Sequence, residues 1–331
     1  MKITDNNNIC GYCNTANDGE FCFETQSIYG NKYEIRKCAH CKAYYLSPHP
    51  DEDVLKKAYD VSYYGFQKNK FGEGIIEKTI DYLRYLKAKR INKYLKHQST
   101  ILDIGCGNGK FLGYMNKLGK HNIYGIEPGE ISYKRASKIE NINIKKGYLD
   151  ENDFGDNFFD AIFLFHVFEH LDNPEIMLDV IGKILKPNAI LVFSFPNIIS
   201  WQAKFFKGKW LHLDPPRHLF FFPPEVFVSL MKSKGYMPVK IKYMCIEQNP
   251  YASIQSILNI ICKKREVLYE YFKGNKEYVK DISRISILLQ KIFFVLSFPF
   301  FIITDFLASL FHASASVEFI FKKNNFPNSI D

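Results

Sequence analysis

The sequence predicts a doubly wound α/β protein. It has a seven-stranded sheet, a small Cys-rich lobe ahead of it and a hydrophobic helical insertion before the last strand. Three observations carry this. From Ser99 onward, short apolar runs alternate with helix-length segments. A glycine-rich turn joins the first of those runs to a helix. Two CxxC pairs stand within the first 41 residues. The chain has 331 residues, 47% hydrophobic and 24% charged, ordinary globular values that exclude a disordered chain, a collagen-like repeat and a polytopic membrane protein. The expected division is a lobe at 1–50, a helical linker and cap at 51–98, a core at 99–250 with 315–326, and an insertion at 251–314.

The lobe comes first. Residues 1–9 are polar and lack the apolar centre of a secretory signal, so a cytoplasmic location is expected. In a reducing compartment a cysteine cluster binds metal or does chemistry more often than it forms disulfides. Cys10-Gly11-Tyr12-Cys13 and Cys38-Ala39-His40-Cys41 are two such turns. Brought together by a hairpin, Cys10, Cys13, Cys38 and Cys41 make a closed tetrahedral Zn²⁺ site of structural type. Strands over 20–25 and 32–36 around Tyr29-Gly30-Asn31 supply that hairpin. The 24-residue gap between the pairs exceeds the usual span of about 15–20. The competing reading is four ordinary cysteines, with Cys22 as a fifth. The +9 charge is diffuse, without a block of five like charges, so no nucleic-acid partner is expected.

Helices are expected over 51–59 and 74–96. The second has an apolar face of Ile75, Ile76, Ile80, Leu83, Leu86, Ile91 and Leu95. Strands follow over 100–104, 122–126, 142–146, 160–165, 190–195, 237–246 and 317–322. A helix over 174–185 opens with Asn173 as N-cap and Pro174 at its first position.

The stretch Leu102-Asp103-Ile104-Gly105-Cys106-Gly107-Asn108-Gly109-Lys110 follows a strand and opens a helix. Its glycines allow a tight turn and let a ligand lie against bare backbone. A nicotinamide fingerprint places a third glycine where Lys110 stands, which argues against a dehydrogenase. Glu127 closes the next strand, where a carboxylate can accept both hydroxyls of a ribose. This combination resembles motif I and motif II of the class I S-adenosylmethionine-dependent methyltransferases. Further resemblance lies in Phe158-Phe159-Asp160-Ala161-Ile162-Phe163-Leu164-Phe165-His166-Val167-Phe168-Glu169-His170-Leu171, in Asp172-Asn173-Pro174 and in Leu185-Lys186-Pro187-Asn188-Ala189. Phe195-Pro196-Asn197, Trp210 and Asp214-Pro215-Pro216-Arg217-His218-Leu219 are similar to a bacterial subgroup related to the ubiquinone-biosynthesis O-methyltransferases, often with an N-terminal Cys-rich lobe.

The resemblance implies a Rossmann-like methyltransferase core that takes S-adenosyl-L-methionine. Asp103, Gly105, Gly107 and Gly109 would line its methionine and ribose side, and Glu127 would hold the ribose. Tyr148, Leu149 and Asp150 would flank the adenine, with Glu151 and Asp153 as alternative acids. Phe165 and His166 would lie across the cofactor from the glycines. Candidate bases are His166, Glu169, His170 and His218. For Glu169-His170 two other readings stand: capping or bracing the strand-four turn, and holding a divalent ion.

Residues 201–222 form a lid candidate with both tryptophans, five Phe and Lys204, Lys207 and Lys209. That mix suits a small-molecule or lipid-linked acceptor with an anionic handle, or a lid that packs only on its own core. The insertion carries eight cations and four acids over 263–291, then thirteen uncharged residues over 292–304 inside an apolar window at 285–311. A helix–Pro–helix hairpin about Pro299 is expected. Its outlets are peripheral contact with the inner face of the membrane, the body of the protein, or a homodimer partner. The function expected is O-methylation of a sugar, lipid-linked or quinone-like acceptor. The alternatives are C-methylation of a nucleotide-sugar and an inactive membrane-surface scaffold that keeps the fold.

Overall fold

The computed structural model describes residues 9–16, 19–59 and 74–324. The readings of residues 1–8 and of 325–326 lie outside the described residues. In the lobe, β1 (Glu20–Gln26) and β2 (Lys32–Lys37) form the expected hairpin, turning at Gly30. A further strand, β3 (Tyr44–Ser47), pairs antiparallel with β2. Four residues without apolar alternation, ending at a Pro, left no strand signal there.

Helix α1 (Glu52–Ala58) starts where the Asp51 carboxylate accepts the Val54 N–H at 2.9 Å. Helix α2 (Ile75–Asn92) follows, and its apolar stripe is only partly inward. Ala88 and Ile91 are buried, but Leu86 is 39% exposed; the side chains of Ile75 and Ile76 lie outside the description. The inward positions carry charge instead. Arg90 forms a two-pronged ion pair with Glu318, and Lys87 meets Glu247 at 3.3 Å. Such pairs satisfy the charges that docking this helix buries.

The main body alternates as expected. It runs β4 (Thr100–Ile104), α3 (Lys110–Gly119), β5 (Asn122–Glu127), α4 (Glu130–Ala136), β6 (Ile142–Lys146), β7 (Phe159–Phe165), α5 (Pro174–Ile184) and β8 (Leu185–Pro196). Then come α6 (Trp201–Phe206), β9 (Phe220–Phe221), α7 (Pro224–Ser233), β10 (Tyr236–Lys242), α8 (Asn249–Ile261), α9 (Val267–Phe272), α10 (Lys276–Val279), α11 (Arg284–Leu310) and β11 (Ser316–Lys323). Asn173 occupies the N-cap of α5 but makes no capping bond with its side chain; Pro174 supplies the start. The seven-stranded order is β10-β11-β8-β7-β4-β5-β6. The ladders from β8 to β6 are parallel, and β11 runs antiparallel to both its neighbours. Connections leave β4 in one direction toward β5 and β6, and β7 and β8 lie on its other side. That reversal opens a crevice at the carboxyl ends of β4 and β7, where ligands bind in such sheets.

Phe227 of α7 is fully buried, with its ring against Phe168, Phe193, Phe195, Phe319 and Phe321. Replacing it with Ala is expected to cost about 3–5 kcal/mol, read as a lower denaturant midpoint at unchanged slope.

Two expectations are corrected. The segment 201–222 is not a free lid: β9 adds to β3 as the fourth strand of the lobe's sheet, and Trp210 is fully buried. Phe206, Phe220, Phe221 and Phe222 are also buried, which leaves Phe205 and the three lysines outside. The insertion is not a hairpin about Pro299 either. Helix α11 runs unbroken for 27 residues with Pro299 inside it. Phe294 and Phe298 before the proline and Phe301 after it pack in one cluster with Ile254 and Leu258 of α8. That shared packing holds both halves in line, against a cost of about 3 kcal/mol for an interior proline.

Candidate active site

The chain leaves β4 through Gly105, Gly107 and Gly109, whose φ values are +70°, +57° and +71°. L side chains adopt such angles only under strain. A Cβ built at Gly105 would overlap Val167 Cγ2, whereas one at Gly107 would meet nothing within 4 Å. The loop is therefore pressed against the chain after β7 on one side and open on the other. Gly105 and Cys106 donate their N–H groups to the Ile126 carbonyl at 2.8 and 3.1 Å, tying the turn to the end of β5. There the Glu127 carboxylate accepts from Gly107 N–H and Gly129 N–H, both at 2.8 Å. Burial pushes its carboxyl up to about 6 against those two bonds. Asp103 is buried, and its Oδ1 has no hydrogen-bond partner. Desolvation raises its carboxyl, with Lys87 opposing.

The chain then crosses over this turn. His166 has φ +55° and donates its N–H to Ser194 O at 2.8 Å, and Phe168–His170 form a short 3₁₀ turn. Glu169 is buried rather than capping a helix, and neither carboxylate oxygen is hydrogen-bonded. His166 Nδ1 lies 3.3 Å and His218 Nε2 3.9 Å from its Oε1. Burial raises the Glu169 carboxyl.

The two further imidazoles are oriented by carbonyls. His218 Nδ1 is 2.8 Å from His212 O, and His170 Nδ1 is 2.9 Å from both Arg217 O and the Tyr59 hydroxyl. A carbonyl only accepts, so Nδ1 carries the proton in each ring and Nε2 keeps its lone pair. Burial lowers both histidines, His170 to about 4. Asp214 and Arg217 lock this loop by a paired ion bridge. Burial would raise the Asp214 carboxyl, but Arg217 outweighs it and holds the group low. Glu169, His170 and His218 offer ligand atoms within 4.8 Å of one another, a set that also suits a divalent ion.

Residues 78–241 match the sequence model of a family described as "Methyltransferase domain". The span covers the glycine turn, Glu127 and the histidine cluster. This part of the chain matches a methyltransferase domain. It is similar to the mitochondrial ubiquinone biosynthesis O-methyltransferase of Dictyostelium discoideum, 30% identical over 113 residues. That match covers 30% of this chain and 35% of the relative. An uncharacterized protein of Methanocaldococcus jannaschii is 29% identical over 184 residues, 54% of this chain and 61% of its own. The chain thus spans between about a third and three fifths of these relatives' lengths. The crystal structure of the cyclase SpnF shares the fold, with a TM-score of 0.50 at 15% identity over 82% of this chain and 93% of its own.

Other residues of the methyltransferase domain fall as follows. Tyr148 is 73% exposed after β6, and Leu149 is half-buried. Among the nearby acids, Asp153 is engaged by Lys145 and by the Asp150 N–H at 2.8 Å, so Asp150 and Glu151 are the outward ones. Phe165 packs edge-on to Phe111, with the Lys87 ammonium 5.0 Å from its ring. Lys110, at the position that disfavours a dinucleotide turn, bridges Glu77 and Asp81 of α2.

Ahead of the domain, Cys10, Cys13, Cys38 and Cys41 converge, with Cys10–Cys41 sulfurs 3.6 Å and Cys13–Cys38 sulfurs 3.8 Å apart. Cys22 stays outside, its thiol on Glu20 O.

Sequence reasoning missed His212, half-buried beside Trp210, and Tyr59, which reaches His170 from the end of α1. Only the Asp214–Arg217 spacing hinted at the ion pair that shapes this loop.

Proposed function

We propose that this protein is an S-adenosylmethionine-dependent methyltransferase acting on a hydroxyl of a small or lipid-linked acceptor. The observation that carries the hydroxyl reading is the pair of imidazoles, half-buried His170 and buried His218, each with Nδ1 on a carbonyl and Nε2 left as the basic nitrogen. Two curated relatives named ubiquinone biosynthesis O-methyltransferase support the same reading. The glycine turn fits the cofactor: it is open at Gly107, faces a buried carboxylate at Glu127 and has the unpartnered Asp103 Oδ1 behind it. When bound, S-adenosylmethionine supplies a methyl group already activated by its sulfonium. The residues of the chain then have to orient the acceptor, exclude water and take its proton.

His218 Nε2 accepts the acceptor's proton, and Glu169 and Asp214, each within 3.9 Å, stabilise the imidazolium that results. His166, partly exposed, stands 3.3 Å from Glu169, and His170 packs edge-on against the ring of His218 at 4.5 Å. The front lobe is held by one structural Zn²⁺ on the four cysteines. A Zn–S bond of about 2.3 Å in a tetrahedron places sulfurs about 3.8 Å apart, close to the two spacings found.

Titration calorimetry with S-adenosylmethionine, followed by transfer of labelled methyl into hydroxylated acceptors, tests the proposal. Absence of cofactor binding overturns it. Replacing His218 with Ala is expected to lower kcat about 10²–10⁴-fold with cofactor Kd unchanged. A histidine lowered by burial stays neutral below its ordinary range, so kcat is expected to be flat from pH 8 down to 7. Unchanged turnover in the variant removes His218 as base.

A further inference from the structure

Helix α11 turns a mixed face inward and an apolar face outward. Buried on its inward side are Ile287 and Phe301 together with Gln290 and Asp305, the last 1% exposed and accepting from Asn249 Nδ2 at 2.9 Å. Its outward face is apolar throughout. Ile285, Leu288, Leu289, Ile292, Val295, Leu296, Pro299, Phe300, Ile303, Phe306, Leu307 and Leu310 recur at helical spacing, all exposed, Leu296 to 74%. No charged or hydrogen-bonding side chain interrupts this stripe, which at 1.5 Å per residue runs about 37 Å. Water does not select such a face. A soluble subunit interface is only about 56–65% apolar, so a wholly apolar stripe of this length exceeds that class too.

The stripe is long enough to cross a bilayer, but the helix is fastened to the body along its length. Lys291 donates to the Tyr271 hydroxyl at 2.8 Å, and the Phe294 ring packs on Phe272 and Tyr251. The Asp305 carbonyl accepts from Ser314 Oγ, and Ser314 O accepts from Asn197 just beyond β8. A helix so held lies along a surface and cannot stand across it.

The charge around it is net positive. Arg265–Glu266 and Lys273–Glu270 are paired within the insertion. Lys263, Lys264, Lys276, Lys280, Arg284 and Lys291 then outnumber Glu277 and Asp281. An excess of cations beside an apolar helix face matches an anionic lipid surface.

We infer that α11 is a monotopic membrane anchor, lying in the plane of an anionic bilayer with its 285–310 stripe in the acyl boundary. The insertion also grips the loop that carries the histidines: Ser256 accepts from Leu211 N–H, Asn259 donates to Lys209 O, and Arg265 donates to the Gly208 and Trp210 carbonyls. The anchor therefore holds the carboxyl edge of the sheet close to the lipid. A membrane-embedded acceptor with its hydroxyl near the headgroups is the substrate class that follows; that consequence rests on the methyltransferase reading, and the anchoring does not.

The test is flotation of the full chain with vesicles of phosphatidylglycerol and phosphatidylethanolamine, and with pure phosphatidylcholine vesicles. The wild type is expected to float with the first and at least tenfold less with the second. The variant carrying Leu289→Glu and Leu296→Glu, both at exposed positions, is expected to lose flotation about tenfold or more with an unchanged circular-dichroism melt. Calorimetric cofactor affinity measured without vesicles stays at the wild-type value in this variant, which separates failure of the anchor from failure of the methyltransferase reading. Wild type that stays at the bottom with both vesicles overturns the inference. So does a wild-type dimer, dispersed by the same substitutions, that binds no vesicles, for then a second copy covers the stripe.

Discussion

Stripping the metal from the four-cysteine site, or replacing Cys38 with Ser, is expected to unfold the front of the molecule and silence the active site with it. Zinc on four thiolates contributes on the order of 10 kcal/mol or more of folding free energy, comparable to the whole stability of a typical domain. The lobe has little else to hold it. Its sheet has three short strands of its own and borrows a fourth, β9. Between the first two ligands, Tyr12 is buried with its ring 4.7 Å from Phe222 and 5.6 Å from Phe220. Cys38 donates its N–H to Ala43 O at 2.8 Å, closing the corner between β2 and β3. Loosening that corner frees β3, then β9, and His218 lies two residues before β9. The metal content should be one zinc per chain. A strong chelator should lower the melting midpoint and abolish methyl transfer together. Less than half a zinc per chain, or a melt indifferent to chelation, overturns the assignment.

This coupling shows where the sequence could and could not be read. The strands of the main sheet are legible because each buried run, such as Thr100–Ile104, is bounded by turn residues and has its own periodicity. The glycine turn and Glu127 are legible because their chemistry is local. The four cysteines converge as their spacing predicts. The partners of His218 were not legible, because Glu169 stands 49 positions away and meets it only through the crossover at β7. Tyr59 to His170 is a contact across 111 positions with no pattern at either end. The lid expectation failed for a physical reason. Aromatic and basic residues in one loop say that it packs and is solvated, and nothing about whether the packing partner is a substrate or a neighbouring sheet. The hairpin expectation failed because proline breaks helices only when no tertiary packing outweighs its local cost.

Replacing Glu127 with Gln is expected to weaken cofactor binding by about two orders of magnitude while leaving the fold intact. The carboxylate closes β5 and already accepts from two backbone N–H groups, and hydrogen bonds to a charged group are worth roughly twice neutral ones. An amide can keep one backbone N–H but turns its own NH₂ toward the other, which misaligns the open Gly107 turn. The pH dependence separates this loss from simple unfolding. Burial holds the Glu127 carboxyl at about 6 in the folded protein against an ordinary 4.5. A raised carboxyl makes the charged form a burden on the fold of about 2 kcal/mol at neutral pH, relieved as the pH falls through 6. Binding runs the other way, since hydroxyl donors need the carboxylate charged. Cofactor affinity is therefore expected to be flat above pH 6 and to fall by up to tenfold per unit below it, while this group's contribution to stability improves over the same interval. The Gln variant should show neither trend. Calorimetric affinity between pH 5 and 8, set beside denaturant midpoints at the same pH values, decides it. If affinity and stability of the wild type fall together, or the variant retains the pH dependence, Glu127 is not the group that holds the ribose.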